Sequence, residues 1–166
     1  MLKPIKAKTF RAGDARFAIV ASQYNARYVD AMLQGATEEL DRAGVREVQV
    51  VRVPGAYEIP VVAARLARTS SAHASRITHH ASRFSAIICL GVILRGETVH
   101  AAHIGEAVSR ALMELQLEYE VPVIHEVLLL ENEAQAQVRC LDPKHNRGRE
   151  AAQTALAMAK VMAGLP

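Results

Sequence analysis

Apolar residues along this chain form four short runs, and each run is followed by a helical stripe. The runs lie at 17–21, 48–53, 86–94 and 121–130, short enough to form buried strands. After each run, apolar residues recur every three or four positions, which is the spacing of one helix face. The stripes predict helices at 28–43, from 59 to 66, from 104 to 115, at 132–140 and at 148–163. The pattern therefore predicts alternating strands and helices.

This alternation predicts a parallel sheet covered on both faces, because right-handed crossovers deposit helices on each side. The expected class is α/β, a flavodoxin-like three-layer αβα sandwich with a four-stranded parallel sheet. A length of 166 residues fits a single domain, 1–166. Residues 69–82 are rich in Ser, His, Arg and Ala and lack periodicity, so we interpret them as a surface insertion.

Composition and charge exclude several classes of protein. Hydrophobic residues make up 51% and charged residues 22%, the proportions of a globular domain. Four of the 20 basic residues lie between 65 and 83 without an acidic residue, and elsewhere 16 basic residues accompany 17 acidic ones. The basic bias is therefore local, and the rest of the molecule is expected to offer no phosphate-tracking face for nucleic acid. No membrane-length apolar run and no signal peptide are present, so we expect a cytoplasmic protein without a membrane partner.

Cysteine and histidine content limits the metal chemistry that the chain could support. Cys89 and Cys140 are too few for a disulfide framework or a four-thiolate zinc site, and both are expected in the core. His100 and His103 could bind a metal as an i, i+3 pair, but no carboxylate or thiol completes the set. We therefore expect no metal site.

The loops after the four strands are expected to form one ligand site, because ligands of open parallel sheets bind at the carboxyl ends of the strands. In the third loop, Gly96, Glu97 and Thr98 place backbone amides at a helix start, which suits an anion; the alternative is a simple helix cap. His100 follows in the first helical turn and suits proton transfer near neutral pH, although a surface histidine can also be incidental.

Neighbouring loops carry aromatic and polar residues that suit a hydroxylated heterocycle. Tyr24-Asn25 and Ala56-Tyr57-Glu58 could stack on a ring and accept hydrogen bonds from hydroxyls, whereas the alternative for each tyrosine is packing. Arg139 and Lys144 could bind phosphate, or could be solvated helix residues. Both are distant from the third loop along the chain, and a neighbouring subunit could bring them close.

Five motifs, taken in order and spacing, resemble the lumazine synthase family. The motifs are Tyr24-Asn25, Val-Pro-Gly-Ala-Tyr-Glu-Ile-Pro at 53–60, the segment 91–100 with Arg-Gly-Glu-Thr-Val-His, Val-Pro-Val-Ile at 121–124, and Asn-Arg-Gly at 146–148. The likeness runs from about Phe17 to Met162. The family implies condensation of 5-amino-6-(D-ribitylamino)uracil with 3,4-dihydroxy-2-butanone 4-phosphate to 6,7-dimethyl-8-ribityllumazine, phosphate and water, without a cofactor or metal.

The resemblance also implies a role for each site residue. Tyr24 would stack on the uracil ring, and Ala56, Tyr57 and Glu58 would hold the ribityl chain. Gly96, Glu97 and Thr98 would bind phosphate with Arg139, and His100 would shuttle protons. The other implied substrate-binding residues are Asn25, Val92, Ile93, Leu94, His125 and Lys144. In this family Arg139 and His125 come from an adjacent subunit, which implies a homopentamer with interfacial sites; some relatives build shells of about 60 subunits.

The chain departs from the family pattern at three places. Ala101, Ala102 and His103 follow His100, where the family usually has an aromatic, an acidic and an aromatic residue. His125 stands at a common phenylalanine position, and Pro143 takes the place of a lysine that shifts to Lys144. Two alternatives therefore stay open: a riboflavin synthase of the archaeal type, and a non-catalytic shell or flavin-binding protein.

Overall fold

Four parallel strands form the middle layer of residues 15–70 and 84–165, the parts that the computed structural model describes. They are β1 (Arg16–Ser22), β2 (Glu47–Val53), β3 (Phe84–Leu94) and β4 (Val123–Leu130). Their order across the sheet is β2-β1-β3-β4. β1 is central, and its residues 17–21 are all fully buried, as their unbroken apolar run predicts.

Helices follow each strand, as predicted. They are α1 (Ala26–Arg42), α2 (Ile59–Ser70), α3 (His100–Tyr119), α4 (Glu133–Ala136) and α5 (Arg147–Ala163). A 3₁₀ turn at Ala56–Glu58 leads into α2, and a π-helical turn at Gln137–Leu141 continues α4. The predicted helix at 132–140 is therefore two short pieces of different winding, which the apolar spacing did not indicate.

The helices cover both faces of the sheet. α1 and α5 pack on one face, where Met32, Leu40 and Leu156 meet Ile19 and other strand residues in one core. α2 and α3 pack on the other face and form a second core with the alternate strand residues. The predicted α/β three-layer αβα sandwich with a four-stranded parallel sheet is confirmed.

Two predicted boundaries need correction. β4 begins at Val123 rather than Val121, because Pro122 has no N–H for the ladder; its carbonyl accepts the Ile87 N–H at 2.8 Å. The predicted insertion begins too early, since residues 69 and 70 end α2. The Ser70 hydroxyl is buried there and accepts the Phe84 N–H at 3.0 Å. The rest of the insertion lies outside the described residues.

α1 and α5 cross at close range. A Cβ on Gly148 would lie 1.9 Å from the Met32 carbonyl oxygen, so a residue without a side chain is needed at this crossing. Beside it, the buried Asn146 side chain donates to the carbonyls of Ala31 and Cys140 and accepts the Arg149 N–H. Asn146 therefore caps α5 and ties it to α1 and to the π-helical turn.

Candidate active site

A cavity of about 880 Å³ opens at the carboxyl ends of β1 and β3. The strand order reverses between these two strands, and such switch points are where open α/β sheets bind ligands. The residues that line the cavity are Tyr24, Asn25, Gly55, Ala56, Tyr57, Glu58, Val92, Ile93, Leu94, His100, His103, Ile104 and Ala107. Three of the four predicted loops therefore meet here.

Asn25 fixes the first loop. It begins α1 with a left-handed φ of 57°, a conformation that asparagine tolerates better than most residues. Its side-chain amide donates to the Val92 carbonyl oxygen at 2.8 Å, which joins the loop to β3. The adjacent Tyr24 N–H donates to the Pro54 carbonyl oxygen at 3.0 Å. These bonds hold the Tyr24 side chain at the cavity mouth with 70% of its surface exposed.

The second loop provides a carboxylate and another exposed ring. The Gly55 N–H donates to Glu58 Oε2 at 2.9 Å, which occupies one carboxylate oxygen within the turn. A Cβ on Gly55 would lie 2.9 Å from both Glu58 Oε2 and the Tyr24 ring, so glycine leaves room for both side chains. Tyr57 is 63% exposed. Two rings at one mouth with this exposure are available to a ligand, and packing does not account for them.

Apolar strand residues form the floor, and α3 forms one wall. Val92 and Ile93 are buried at the end of β3, where they give the cavity a dry base. His100 is the first residue of α3, and His103 lies one helical turn further along the same lining. Both imidazoles are at least partly exposed to solvent.

The predicted anion loop lies beside the cavity and is open to solvent. Gly96, Glu97 and Thr98 are all exposed between Leu94 and His100, both of which line the cavity. A Cβ on Gly96 would meet no atom within 4 Å, so packing does not require glycine at this position. The Thr98 hydroxyl accepts the His100 N–H at 3.4 Å, in the manner of a weak cap.

Arg139 and Lys144 lie away from this cavity. The π-helical turn places Arg139 in a separate cleft of about 530 Å³, which it lines with Asn132, Gln135, Val138 and His145. Lys144 is exposed in the bend before α5, and its backbone N–H donates to Asp142 Oδ1 at 2.8 Å. One chain therefore presents the predicted site residues in two separate places.

His125 also lies outside the large cavity. It stands in the middle of β4 and faces α3, where its Nε2 is 2.8 Å from Ser109 Oγ. Burial lowers the pKa of His125 below its ordinary value of 6.5. The imidazole is therefore neutral at physiological pH.

A second unusual group lies on the opposite face of β4. Glu126 faces α5 and accepts a hydrogen bond from Arg147 Nε at 3.2 Å, and Arg147 also pairs with Glu150. Burial raises the pKa of Glu126 to about 7, although the Arg147 guanidinium acts in the opposite direction. The Arg139 guanidinium also lowers the pKa of this carboxyl, and its effect is the smallest among the charges that act on it.

Neither thiol nor metal chemistry is apparent at these sites. Cys89 and Cys140 are buried core residues, as predicted, and burial raises the pKa of both thiols, that of Cys140 to about 11. Within the described ranges, no three His, Cys, Asp or Glu side chains are grouped to hold a metal ion. No helix in those ranges is both long and apolar enough to cross a membrane.

Comparison with known proteins identifies the family of this chain. Residues 14–163 match the family model described as 6,7-dimethyl-8-ribityllumazine synthase. This chain belongs to that family. A relative named 6,7-dimethyl-8-ribityllumazine synthase from Stenotrophomonas maltophilia is 42% identical over 154 residues, 92% of each chain. A relative of the same name from Xanthomonas oryzae pv. oryzae is 39% identical over 158 residues, 94% of this chain and 95% of the relative. The predicted lumazine synthase family is confirmed.

The structure adds residues to those predicted for this lumazine synthase site. Gly55, His103, Ile104 and Ala107 line the cavity but were not among the candidates. The last three lie three, four and seven residues after His100, on the same face of α3, and this helical spacing was a signal that could have found them. Gly55 belongs to the predicted motif at 53–60, but it was not assigned a role, because it acts only through the space that it leaves for Tyr24 and Glu58.

Proposed function

We propose that the chain condenses 5-amino-6-(D-ribitylamino)uracil with 3,4-dihydroxy-2-butanone 4-phosphate, giving 6,7-dimethyl-8-ribityllumazine, phosphate and water. The observation that carries this proposal is one cavity with exposed tyrosines, a carboxylate and His100, in a chain of the lumazine synthase family. Its volume of about 880 Å³ lies in the range typical of small-molecule sites. The cavity therefore has room for two small reactants.

The cavity walls suit the pyrimidine substrate. Tyr24 offers a ring for stacking, and the apolar base of Val92 and Ile93 favours a flat heterocycle over water. The loop with Tyr57 and Glu58 supplies a carboxylate oxygen and backbone groups for the hydroxyls of the ribityl chain. This assignment places the pyrimidine between the first loop and β3.

The phosphate of the second substrate suits the open loop before α3. Backbone amides at a helix start attract anions, and the open space at Gly96 permits close approach of a phosphate. Glu97 and Thr98 belong to the same loop, and His100 follows it directly. The phosphate-bearing carbon chain would then extend from this loop into the cavity, towards the pyrimidine.

Proton transfer by His100 completes the chemistry. The amino group of the pyrimidine attacks the ketone, and one water leaves as the imine forms. Phosphate then leaves by elimination, and the ribitylamino nitrogen closes the ring onto the resulting carbonyl with loss of a second water. Each step moves a proton, which an imidazole at the cavity wall can accept or return. No protein nucleophile is needed because the reactants attack each other, so positioning carries most of the rate.

We also propose that the working unit is a homo-oligomer, a pentamer or a larger particle built of pentamers. Arg139 is in a cleft apart from His100, so a phosphate held at Gly96–Thr98 would meet Arg139 of an adjacent subunit. The same neighbour would contribute His125. This arrangement would make each active site the joint product of two chains.

The test is product formation by the purified protein. With both substrates, we expect a rise in the absorbance of the lumazine, with release of one phosphate per product. Omission of either substrate is the control for each readout. Formation of riboflavin from added lumazine would instead favour the riboflavin synthase alternative. Flavin binding without turnover of any of these compounds would favour the non-catalytic alternative.

A further inference from the structure

His125 has both ring nitrogens occupied by its own chain. Its Nε2 lies 2.8 Å from Ser109 Oγ, and its Nδ1 accepts the backbone N–H of Val127 at 3.3 Å. Ser109 Oγ in turn lies 2.7 Å from the Gly105 carbonyl oxygen. The ring is nevertheless partly open to solvent.

These contacts define the protonation of the ring. A backbone N–H can only donate, so Nδ1 of His125 must be an unprotonated acceptor. The neutral ring then carries its proton on Nε2 and donates it to Ser109 Oγ. The Ser109 hydroxyl donates its own hydrogen bond to the Gly105 carbonyl oxygen, which can only accept. All three hydrogen bonds therefore have a fixed direction, and burial, which lowers the pKa of His125, also favours the neutral ring.

A ring in this state has no nitrogen left for a substrate. What it can offer is its flat face and its C–H edge, which is what a phenylalanine would offer. We propose that Ser109 is a positioning residue that locks His125 as a neutral, Nε2-protonated aromatic contact for the pyrimidine. The identity of the ligand in this inference rests on the proposed function. In this role His125 stacks on the pyrimidine and transfers no proton.

Ser109 also helps to hold α3 against β4, and the test must separate this structural role from the positioning of His125. Besides the core packing between α3 and β4, three contacts define what we term the α3–β4 seam. Leu129 lies 3.5 Å from where a Gly105 Cβ would stand, His125 bonds Ser109, and Gln116 accepts the Val123 N–H at 3.1 Å. A purely structural Ser109 would only hold this seam together.

The first experiment reads the tautomer directly. Protein labelled with ¹⁵N-histidine is studied by solid-state NMR at neutral pH, and the His125 signals are assigned by their loss in His125→Phe. We expect a protonated Nε2 and an unprotonated Nδ1 in the wild type. In Ser109→Ala the ring loses the bond that holds it against the Val127 N–H, so we expect it to rotate and to show a tautomer mixture. Ser109→Thr should restore the wild-type signals. A charged ring, or an Nδ1-protonated ring, in the wild type would overturn the proposal.

The second experiment reads substrate binding. Ser109→Ala should raise KM for the pyrimidine roughly three- to tenfold, the range of one aromatic contact, with little change in kcat. His125→Phe keeps a flat ring and should lose less than His125→Ala. In the His125→Phe background, Ser109→Ala should add little, because there is no imidazole left to position.

The matched control is Thr154→Ala on α5. Thr154 makes the same bond from a helix hydroxyl to the carbonyl four residues earlier, and no imidazole among the described residues bonds to it. If Ser109→Ala lowers the melting temperature and impairs kcat equally in both backgrounds, Ser109 is structural and the proposal fails. If the wild type makes no lumazine, the proposed function fails, and the NMR experiment alone decides whether Ser109 locks the ring.

Discussion

In the proposed mechanism, His100 transfers protons and Arg139 binds the phosphate group through its positive charge. His100 lines the large cavity, and Arg139 lines the smaller cleft. We predict that His100→Ala lowers kcat by roughly 10² to 10⁴-fold, the usual contribution of general acid–base catalysis, and leaves a measurable residual rate. Arg139→Ala should instead raise KM for the phosphate substrate. Steady-state kinetics that vary one substrate at a time separate the two effects.

Lys160→Ala serves as a control for that comparison, since Lys160 also carries a positive charge but is exposed in the last turn of α5, outside the lining of both cavities. A loss in kcat for Arg139→Ala equal to that of His100→Ala would contradict the division of roles. A fully active His100→Ala would remove the proton-transfer assignment.

We predict that Glu126 makes the stability of the protein depend on pH. Its pKa is about 7 in the folded protein against 4.5 for the ordinary side chain, so the folded state holds the proton more tightly. Its contribution to stability is complete below pH 4.5 and is lost as the pH rises through about 7. Relative to Glu126→Gln, the wild type should therefore lose about 1–3 kcal/mol between pH 4.5 and 8.

Calorimetric melting of both proteins across that pH range tests this prediction. His125 has the opposite trend: its lowered pKa contributes stability that is lost as the pH falls below 6.5. Because His125 is present in both proteins, its effect cancels in the difference. A difference that stays constant with pH would show that Glu126 titrates normally.

At the level of helices and strands, the spacing of apolar residues was sufficient to predict most of the fold. Runs such as 17–21 and 86–94 predicted buried strands because both of their faces pack against helices. The π-helical turn at Gln137–Leu141 was not predicted, because its widening depends on local hydrogen bonding rather than on periodicity. Ser70 was placed in the insertion because its burial depends on a contact with Phe84, which is distant along the chain.

The crossing of α1 and α5 gives a stability prediction. Gly148→Ala would force a Cβ into the Met32 carbonyl, and backbone cannot move aside as a side chain can. We expect a loss of about 3 kcal/mol or more in the free energy of unfolding, at the upper end for an overpacked core. Chemical denaturation measures it. Gly164→Ala is the control, because its nearest neighbour would be 3.5 Å away and its loss should be small.

For the whole molecule, the sequence pattern predicted that three loops meet at one cavity. It could not predict which groups a second copy of the chain brings to that cavity. The parallel-sheet rule located the loops with Tyr24, Tyr57 and His100 correctly. It also grouped His125 with them, whereas the structure places His125 in mid-strand against α3. Residues in one chain's sequence carry no direct information on which groups a second copy brings close.

A shared active site predicts complementation between defective subunits. His100→Ala and Arg139→Ala proteins, unfolded and reassembled together, should regain up to about a quarter of wild-type activity, because one interface in four receives both intact groups. The separately reassembled variants are the controls, and light scattering reports the assembly state. Mixtures no more active than those controls would place both groups in one chain's site.

The separation of Arg139 from the His100 cavity has a genetic consequence. In a closed ring, every chain borders two reaction chambers, one through each side of its surface. In the proposed ring, a copy with both defects would impair two active sites, its own and its neighbour's. A faulty allele expressed beside a sound one would therefore impair a larger fraction of the active sites than its fraction of the chains.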